Sequence, residues 1–287
     1  MSEAAARLPG LIVNIDDLGM CHGANVAFLE LFARGRCDSG SVMVPCPWFL
    51  EIAEAGAADP ALKLGVHVTL TAEKAHYRWR PLTAPPKSSG LVDDDGYFHG
   101  DPQTVRRRAV PEAVEAEMRA QIEMFLRHGL KPTHFDPHQD TVLAPEFFPI
   151  YVALGREYGV PVLFPRNLAS HDSIDGIGPV DEAAYIAAAL ELEASGEPVA
   201  DSIRETPWHR DQPAEARYRA LFADIGPGLT FMAMHANAPG EIEAIEPRSA
   251  AIRTEEYDVL RAEGPIDWID GLKVRRGTLT DFRTVSP

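Results

Sequence analysis

The stretch LIVNIDDLGM, Leu11 to Met20, sets an apolar run directly against two adjacent aspartates. Leu11 to Ile15 reads as a buried strand, and Asp16 and Asp17 stand where it runs out into its loop. A carboxylate pair at that point suits a solvated turn or helix cap. It equally suits a metal ligand beside a proton acceptor. The choice depends on what the other strand ends carry.

Outward from Leu11–Met20, apolar β-rich runs alternate with longer amphipathic ones. SGSVMVP gives a second strand over Ser41–Val44, stopped by Pro45, and LKLGVHVTLT a third over Leu64–Leu70. KPTHFDPHQD is read as a strand running into a loop, VPVLFP as a strand over Val160–Phe164, and GLTFMAMHA as one over Leu229–Met234. GLKVRRGTLTDF closes the chain as a short strand and tail. Helices are expected at about 24–33, 48–58, 111–129, 145–157, 181–193, 214–223 and 249–263. The helix from Pro111 is the clearest, with Pro at its first position, acidic residues in its opening turn and Gly129 as C-cap. Its buried stripe is Val114, Met118, Ile122 and Phe125. Residues 72–103 have no period and read as an inserted rim loop; residues 204–210 read as irregular.

About seven strands separated by helices indicate a parallel α/β architecture in a single domain over 1–287. A closed or partly closed barrel and a flat doubly wound sheet both satisfy the pattern. In either, ligands gather where the C-terminal ends of the strands meet their loops. No P-loop or Gly-x-Gly-x-x-Gly fingerprint is present.

The formal charge of -16, from 43 acidic and 27 basic residues, excludes a nucleic-acid partner that needs clustered Lys and Arg. No run approaches the ~18 apolar residues of a membrane span. The N-terminus lacks an apolar signal-peptide core, and Cys21, Cys37 and Cys46 have no CxxC spacing. A soluble protein of the reducing cytoplasm is expected, with a homodimer as the common arrangement should it self-associate.

Four separate strand ends carry ionisable groups. Asp16 and Asp17 follow the first strand, His67 sits in the third, His134, Asp136 and His138 follow the long helix, and His235 ends the late strand. Strand alternation sends Val66 and Val68 to one side and the His67 imidazole to the other, toward a barrel interior or mouth. One carboxylate with two imidazoles is a Zn²⁺-type set with open positions, and other divalent ions also accept it. Singly, each residue has a plain structural role; their convergence is what points to a metal hydrolase.

LIVNIDDLGM, GVHVTLT, PTHFDPHQD and the later AMHA, in that order, resemble the blocks of the YdjC-like carbohydrate deacetylases, the group containing the diacetylchitobiose deacetylases. The resemblance implies a distorted (β/α) barrel and a divalent-metal-dependent hydrolase that removes acetyl groups from N-acetylated sugars. It implies Asp17, His67 and His138 as ligands of one divalent ion, Zn or Mg, with Asp16 as general base and His235 as general acid. The family's third block usually continues as a histidine-rich run, whereas Asp140 stands here, which bears on the choice of sugar.

The residues fit amide hydrolysis. Asp16 could take a proton from water, and His235 could protonate the departing sugar amine, since C–N cleavage is poor unless nitrogen leaves neutral. His134 is expected to orient a ligand by a hydrogen bond, and Asp136 to fix a histidine tautomer or cap backbone. Arg166 is a rim candidate for a sugar hydroxyl or else a surface ion pair. Tyr77 and Trp79 in the 72–103 loop offer faces for an N-acetylated saccharide or pack the loop. The alternatives are a divalent-metal hydrolase of another amide or a phosphoester on the same scaffold, and a metal-bearing protein without catalysis.

Overall fold

A computed structural model of the chain describes residues 8–172 and 174–284. Its sheet contains β1 (Gly10–Leu18), β2 (Ser39–Val42), β3 (Leu64–Val68), β4 (Phe135–Pro137), β5 (Ser202–Glu205), β6 (Leu229–Met234) and β7 (Arg275–Arg276). All paired strands run parallel, in the order β4-β3-β2-β1-β6-β5, with β7 joining the start of β1. The sheet curls so that β4 and β5 approach each other, and the chain between them bridges both. Val162 pairs with Phe135 on one side, and Pro165 with Ala200 on the other. The result is the expected α/β architecture, a distorted and incompletely closed barrel.

The sequence-based strand at Val160–Phe164 is therefore reduced to isolated bridges. Pro161 and Pro165 supply no N–H to a ladder, which restricts the segment to partial pairing. Conversely, β5 was not expected: its last two residues, Arg204 and Glu205, fall in the stretch read as irregular. Its sequence SIRE is short, polar and half-buried, so it carries no apolar signal. The seven expected helices form with ends shifted by up to three residues, the longest over Pro111–Arg127 with Val114, Met118, Ile122 and Phe125 buried. An additional helix, Pro102–Arg108, is capped by the Asp101 side chain and closes the 72–103 segment. That segment is packed rather than open: Trp79, Leu91 and Phe98 are buried, and Glu117 accepts hydrogen bonds from the Leu82 and Thr83 backbone. Among the described residues no helix is long and apolar enough to cross a membrane.

Alternation decides what fills the barrel. Leu11, Val13 and Ile15 face the surrounding helices in the main core, while Ile12 points inward with Leu163, Ala200, Ile203, Leu229 and Phe231. Leu279 packs into this inner cluster, with partly buried Phe282 against it. The β2–β4 side of the interior is polar. Ser39 Oγ donates to Asn14 Oδ1 at 2.6 Å, Asn14 Nδ2 donates to Ser41 Oγ at 2.9 Å, and His67, His134 and Asp136 are buried with them. One wall of the barrel is thus apolar, and the other is wired for charge.

Gly65 makes room in that polar wall. A Cβ there would sit 2.5 Å from the fully buried His134 ring. Gly65→Ala is expected to cost about 1–3 kcal/mol by overpacking, read as a lower urea midpoint with an unchanged slope. Wild-type stability would show that the His134 ring is free to move aside.

Candidate metal centre and active site

β1 ends in a bulge. Ile15 pairs with Gly40 and Leu18 with Val42, so three steps on β1 oppose two on β2, and Asp17 sits between with φ 64°. The bulge turns Asp17 toward the mouth that Asp16 already faces. β3 brings His67 to the same place by simple alternation. β4 brings Asp136, and His138 follows it at the start of a short 3-10 turn.

Three ligand-type atoms converge. Asp17 Oδ1 lies 3.6 Å from His67 Nε2 and 3.4 Å from His138 Nδ1, and the two imidazole nitrogens are 3.3 Å apart. Bonds of 2.0–2.1 Å at tetrahedral angles separate ligand atoms by about 3.4 Å. The triangle fits one cation. Asp17 Oδ1 is also buried with no hydrogen-bond partner, a cost that a bound cation removes. His67, Asp17 and His138 form one group able to hold an ion, and Asp16, His67 and Asp136 a second that shares His67.

The surrounding groups fix the ring nitrogens. His67 Nδ1 is 3.0 Å from Asp136 Oδ2, and His138 Nε2 is 3.1 Å from Glu73 Oε2. Each carboxylate takes the N–H on the far side of the ring, which leaves Nε2 of His67 and Nδ1 of His138 as lone pairs toward Asp17. Asp17 Oδ2 in turn accepts from Arg253 Nη1 at 2.7 Å. Burial opposes ionisation of Asp17, but Arg253 and the neighbouring histidines outweigh it and hold its carboxyl well below the usual range. Burial likewise opposes a charge on His138, yet Glu73 and Asp17 outweigh it and push its pKa up to about 9.

Asp16 is anchored by one oxygen and free at the other. Oδ1 accepts from Asn14 Nδ2 at 2.7 Å, and Oδ2 faces His67 Nε2 and His235 Nε2, each at 3.9 Å. Burial, with Asp136 and Asp17 nearby, raises its pKa well above the carboxylate range. Burial drives His235 the opposite way, well below the ordinary imidazole value. Its Nδ1 is 2.9 Å from Thr206 Oγ1, and its ring lies 4.7 Å from that of Trp208.

These groups line a cleft of ≈ 420 Å³ whose far side carries Asp140, His171, Asp172 and Glu205. Asp140, the residue that departs from a histidine-rich run, accepts from His171 Nε2 at 2.9 Å. Of the other sequence candidates, His134 lies below the site, with Nε2 3.7 Å from Asp136 Oδ1. Arg166 is engaged by Asp201 and Glu193 and does not line the cleft. Tyr77 donates to the Met20 carbonyl and buried Trp79 to the Thr71 carbonyl, so both pin the loop and neither lines the cleft. Reading by sequence passed over Glu73, Lys74, Thr206, Arg253 and Glu256. Glu73 was within reach, because it follows β3 closely and β3 already carried a candidate ligand. Arg253 and Glu256 lie on the buried stripe of helix Ala250–Leu260, where a charge is itself a signal.

A family model described as YdjC-like protein matches residues 10–270. A carbohydrate deacetylase of Thermus thermophilus is 37% identical over 158 residues, covering 55% of this chain and 54% of that protein. A chitooligosaccharide deacetylase of Yersinia enterocolitica is 32% identical over 168 residues, 57% of this chain and 62% of its own. The matched stretches thus span little more than half the length of these relatives. A crystal structure from Enterococcus faecalis V583, of a protein provisionally assigned to cellobiose-phosphate cleavage, superposes with a TM-score of 0.73 at 22% identity, covering 96% of this chain and 100% of that one; it shares the fold. The family match takes in β1 through β6 and every residue of the cleft. The chain belongs to the family of YdjC-like proteins.

Proposed function

We propose that the protein is a divalent-metal-dependent hydrolase that removes acetyl groups from N-acetylated sugars. The observation that carries this reading is the Asp17–His67–His138 triangle with Asp16 and His235 facing it from β1 and β6. The substrate class comes from the relatives described as carbohydrate and chitooligosaccharide deacetylases.

Asp17, His67 and His138 would hold the ion. Two imidazoles favour zinc or a similar transition metal over magnesium, which prefers oxygen ligands. When bound, the ion supplies Lewis-acid polarisation of the acetyl carbonyl and stabilises the oxygen that becomes anionic. Asp16 Oδ2, held by the anchoring of Oδ1, accepts the proton of the attacking water. His235 Nε2 faces the same space and donates to the sugar nitrogen as the C–N bond breaks. Asp136 and Glu73 keep the two ligand imidazoles in the required tautomers. Trp208 offers an aromatic face beside His235 for the apolar side of a sugar ring.

The electrostatics of the cleft argue against the phosphoester alternative. Its cations, Lys74 and Arg253, are already paired, with Glu73 and Glu246 and with Asp17 respectively. The cleft is also lined by Asp172 and Glu205, and by Asp140 paired with His171. A neutral acetamide enters such a cleft at less cost than a phosphate dianion.

Metal content by mass spectrometry tests the centre first. Protein purified without added ion is expected to carry about one equivalent, and Asp17→Ala and His138→Ala to lose most of it. Equal content in all three proteins would remove the site. Acetate release from N-acetylglucosamine oligomers then tests the reaction. Asp16→Asn and His235→Ala are each expected to keep the ion while losing about 10²–10⁴-fold in turnover. Near-normal rates in either variant would end the role given to that residue.

A further inference from the structure

Behind His235 lies a buried carboxyl that the hydrolytic reading leaves without a task. Glu256 is fully buried on helix Ala250–Leu260 and accepts from Thr206 Oγ1 at 2.8 Å through Oε2 and from the His235 backbone N–H through Oε1. The same Thr206 oxygen is 2.9 Å from His235 Nδ1. Carboxyl, hydroxyl and imidazole are thus in unbroken hydrogen-bond contact, with His235 Nε2 at the cleft end.

We propose that Glu256, Thr206 and His235 form a proton relay that supplies the hydrogen received by the leaving amine. In the loaded state Glu256 is a carboxylic acid donating to Thr206, Thr206 donates to Nδ1, and Nε2 carries hydrogen toward the cleft. As the amine nitrogen takes the Nε2 hydrogen, Nδ1 takes that of Thr206, and Thr206 takes that of Glu256. The imidazole stays neutral overall, and the charge left behind is the Glu256 carboxylate. Reloading runs the path in reverse from water in the cleft. Glu256 acts through His235 and touches no substrate, so it is a positioning and supplying residue.

The environment favours this division of labour. Burial pushes the His235 imidazole well below its ordinary pKa and so disfavours an imidazolium as the stored proton. Burial raises Glu256 to about 7, against the opposing hydrogen bonds from Thr206, the His235 backbone and Tyr218 and the nearby charge of Arg253. Those are the groups that face it: Thr206 beyond β5, His235 beyond β6, Tyr218 from helix Ala214–Leu221, and Arg253 from its own helix.

The relay rests on the deacetylase reading only for the identity of its acceptor, and two measurements on the zinc-loaded protein separate them. In steady-state turnover of N-acetylglucosamine oligomers, Thr206→Val and Glu256→Gln should each lower kcat about 10²-fold, with KM and bound zinc little changed. Thr206→Ser, which returns the hydroxyl, should recover most of the loss. In ¹⁵N NMR, His235 should change from the Nε2–H to the Nδ1–H tautomer as pH rises through neutrality, and Thr206→Val should abolish the change. Undiminished kcat in Thr206→Val would overturn the relay and leave Asp16 to return its captured proton to the amine. A wild-type tautomer that ignores pH would overturn it equally. Absence of acetate release even from wild type would strike at the deacetylase reading, while the tautomer would still decide the relay.

Discussion

Side chains on a regular strand leave alternate faces, so two adjacent aspartates on one strand cannot both reach one site. β1 meets this constraint with an extra residue between Ile15 and Leu18, and with Asp17 in the left-handed region at φ 64°. That conformation is costly for most residues and least so for the short polar ones, aspartate among them. Without the bulge Asp17 would point among Leu11, Val13 and Ile15, where an ionised carboxyl has no partner. With it, Asp16 stays inside the barrel and Asp17 reaches both imidazoles. The turn is secured from two sides: the Met20 N–H donates to the Asp17 carbonyl, and Arg253 takes the outer carboxylate oxygen.

So many buried charges are tolerable only in alternation. From Asp136 the sequence of contacts runs to His67, Asp17, His138, Glu73, Lys74 and Glu246, each neighbour of opposite or complementary character. Both ends of this line are tied to the fold, at β4 and in the segment before helix Ala250–Leu260. A set of side chains held in this way is stiff, because displacing one member strands its neighbour as an uncompensated buried group. Asp17 Oδ1 and Asp136 Oδ1 are both left without a hydrogen-bond partner, and Asp17 Oδ1 is the one that lies within 3.6 Å of both His67 Nε2 and His138 Nδ1. The polar wall under β2–β4 extends the same logic downward through Asn14, Ser39 and Ser41, which hold Asp16 by its other oxygen.

What the sequence made readable follows from the same geometry. Ligand-type residues at the ends of apolar strands announce themselves, and β6 was located to the residue at Leu229–Met234 because its apolar run is clean. The closure of the barrel was hidden: Pro161 and Pro165 broke the expected strand, and β5 is too short and polar to be seen. Arg166, Tyr77 and Trp79 were plausible by type, but each has a nearer partner than a sugar, in Asp201 and Glu193 or in loop carbonyls. Thr206 acts across a long sequence separation that no local pattern reports, whereas Glu73 stands close behind β3 and Arg253 and Glu256 are charges on a buried helix stripe.

Arg253 and Glu256 show what such separation achieves. They lie three residues apart on the buried stripe of one helix, so their side chains leave neighbouring points of a single face. Arg253 reaches Asp17 on one side, and Glu256 reaches Thr206 and the His235 backbone on the other. Trp208 lies between these sides, with the Arg253 guanidinium 5.4 Å from its ring centroid and the His235 ring 4.7 Å away. Opposite charges at this spacing also act on each other: Arg253 lowers the cost of a Glu256 carboxylate, and Glu256 favours the guanidinium. The ionisation of Glu256 behind His235 and that of Asp17 are therefore tied to one helix. A helix far from the strand-end motifs in sequence sets the electrostatic balance between the two halves of the site.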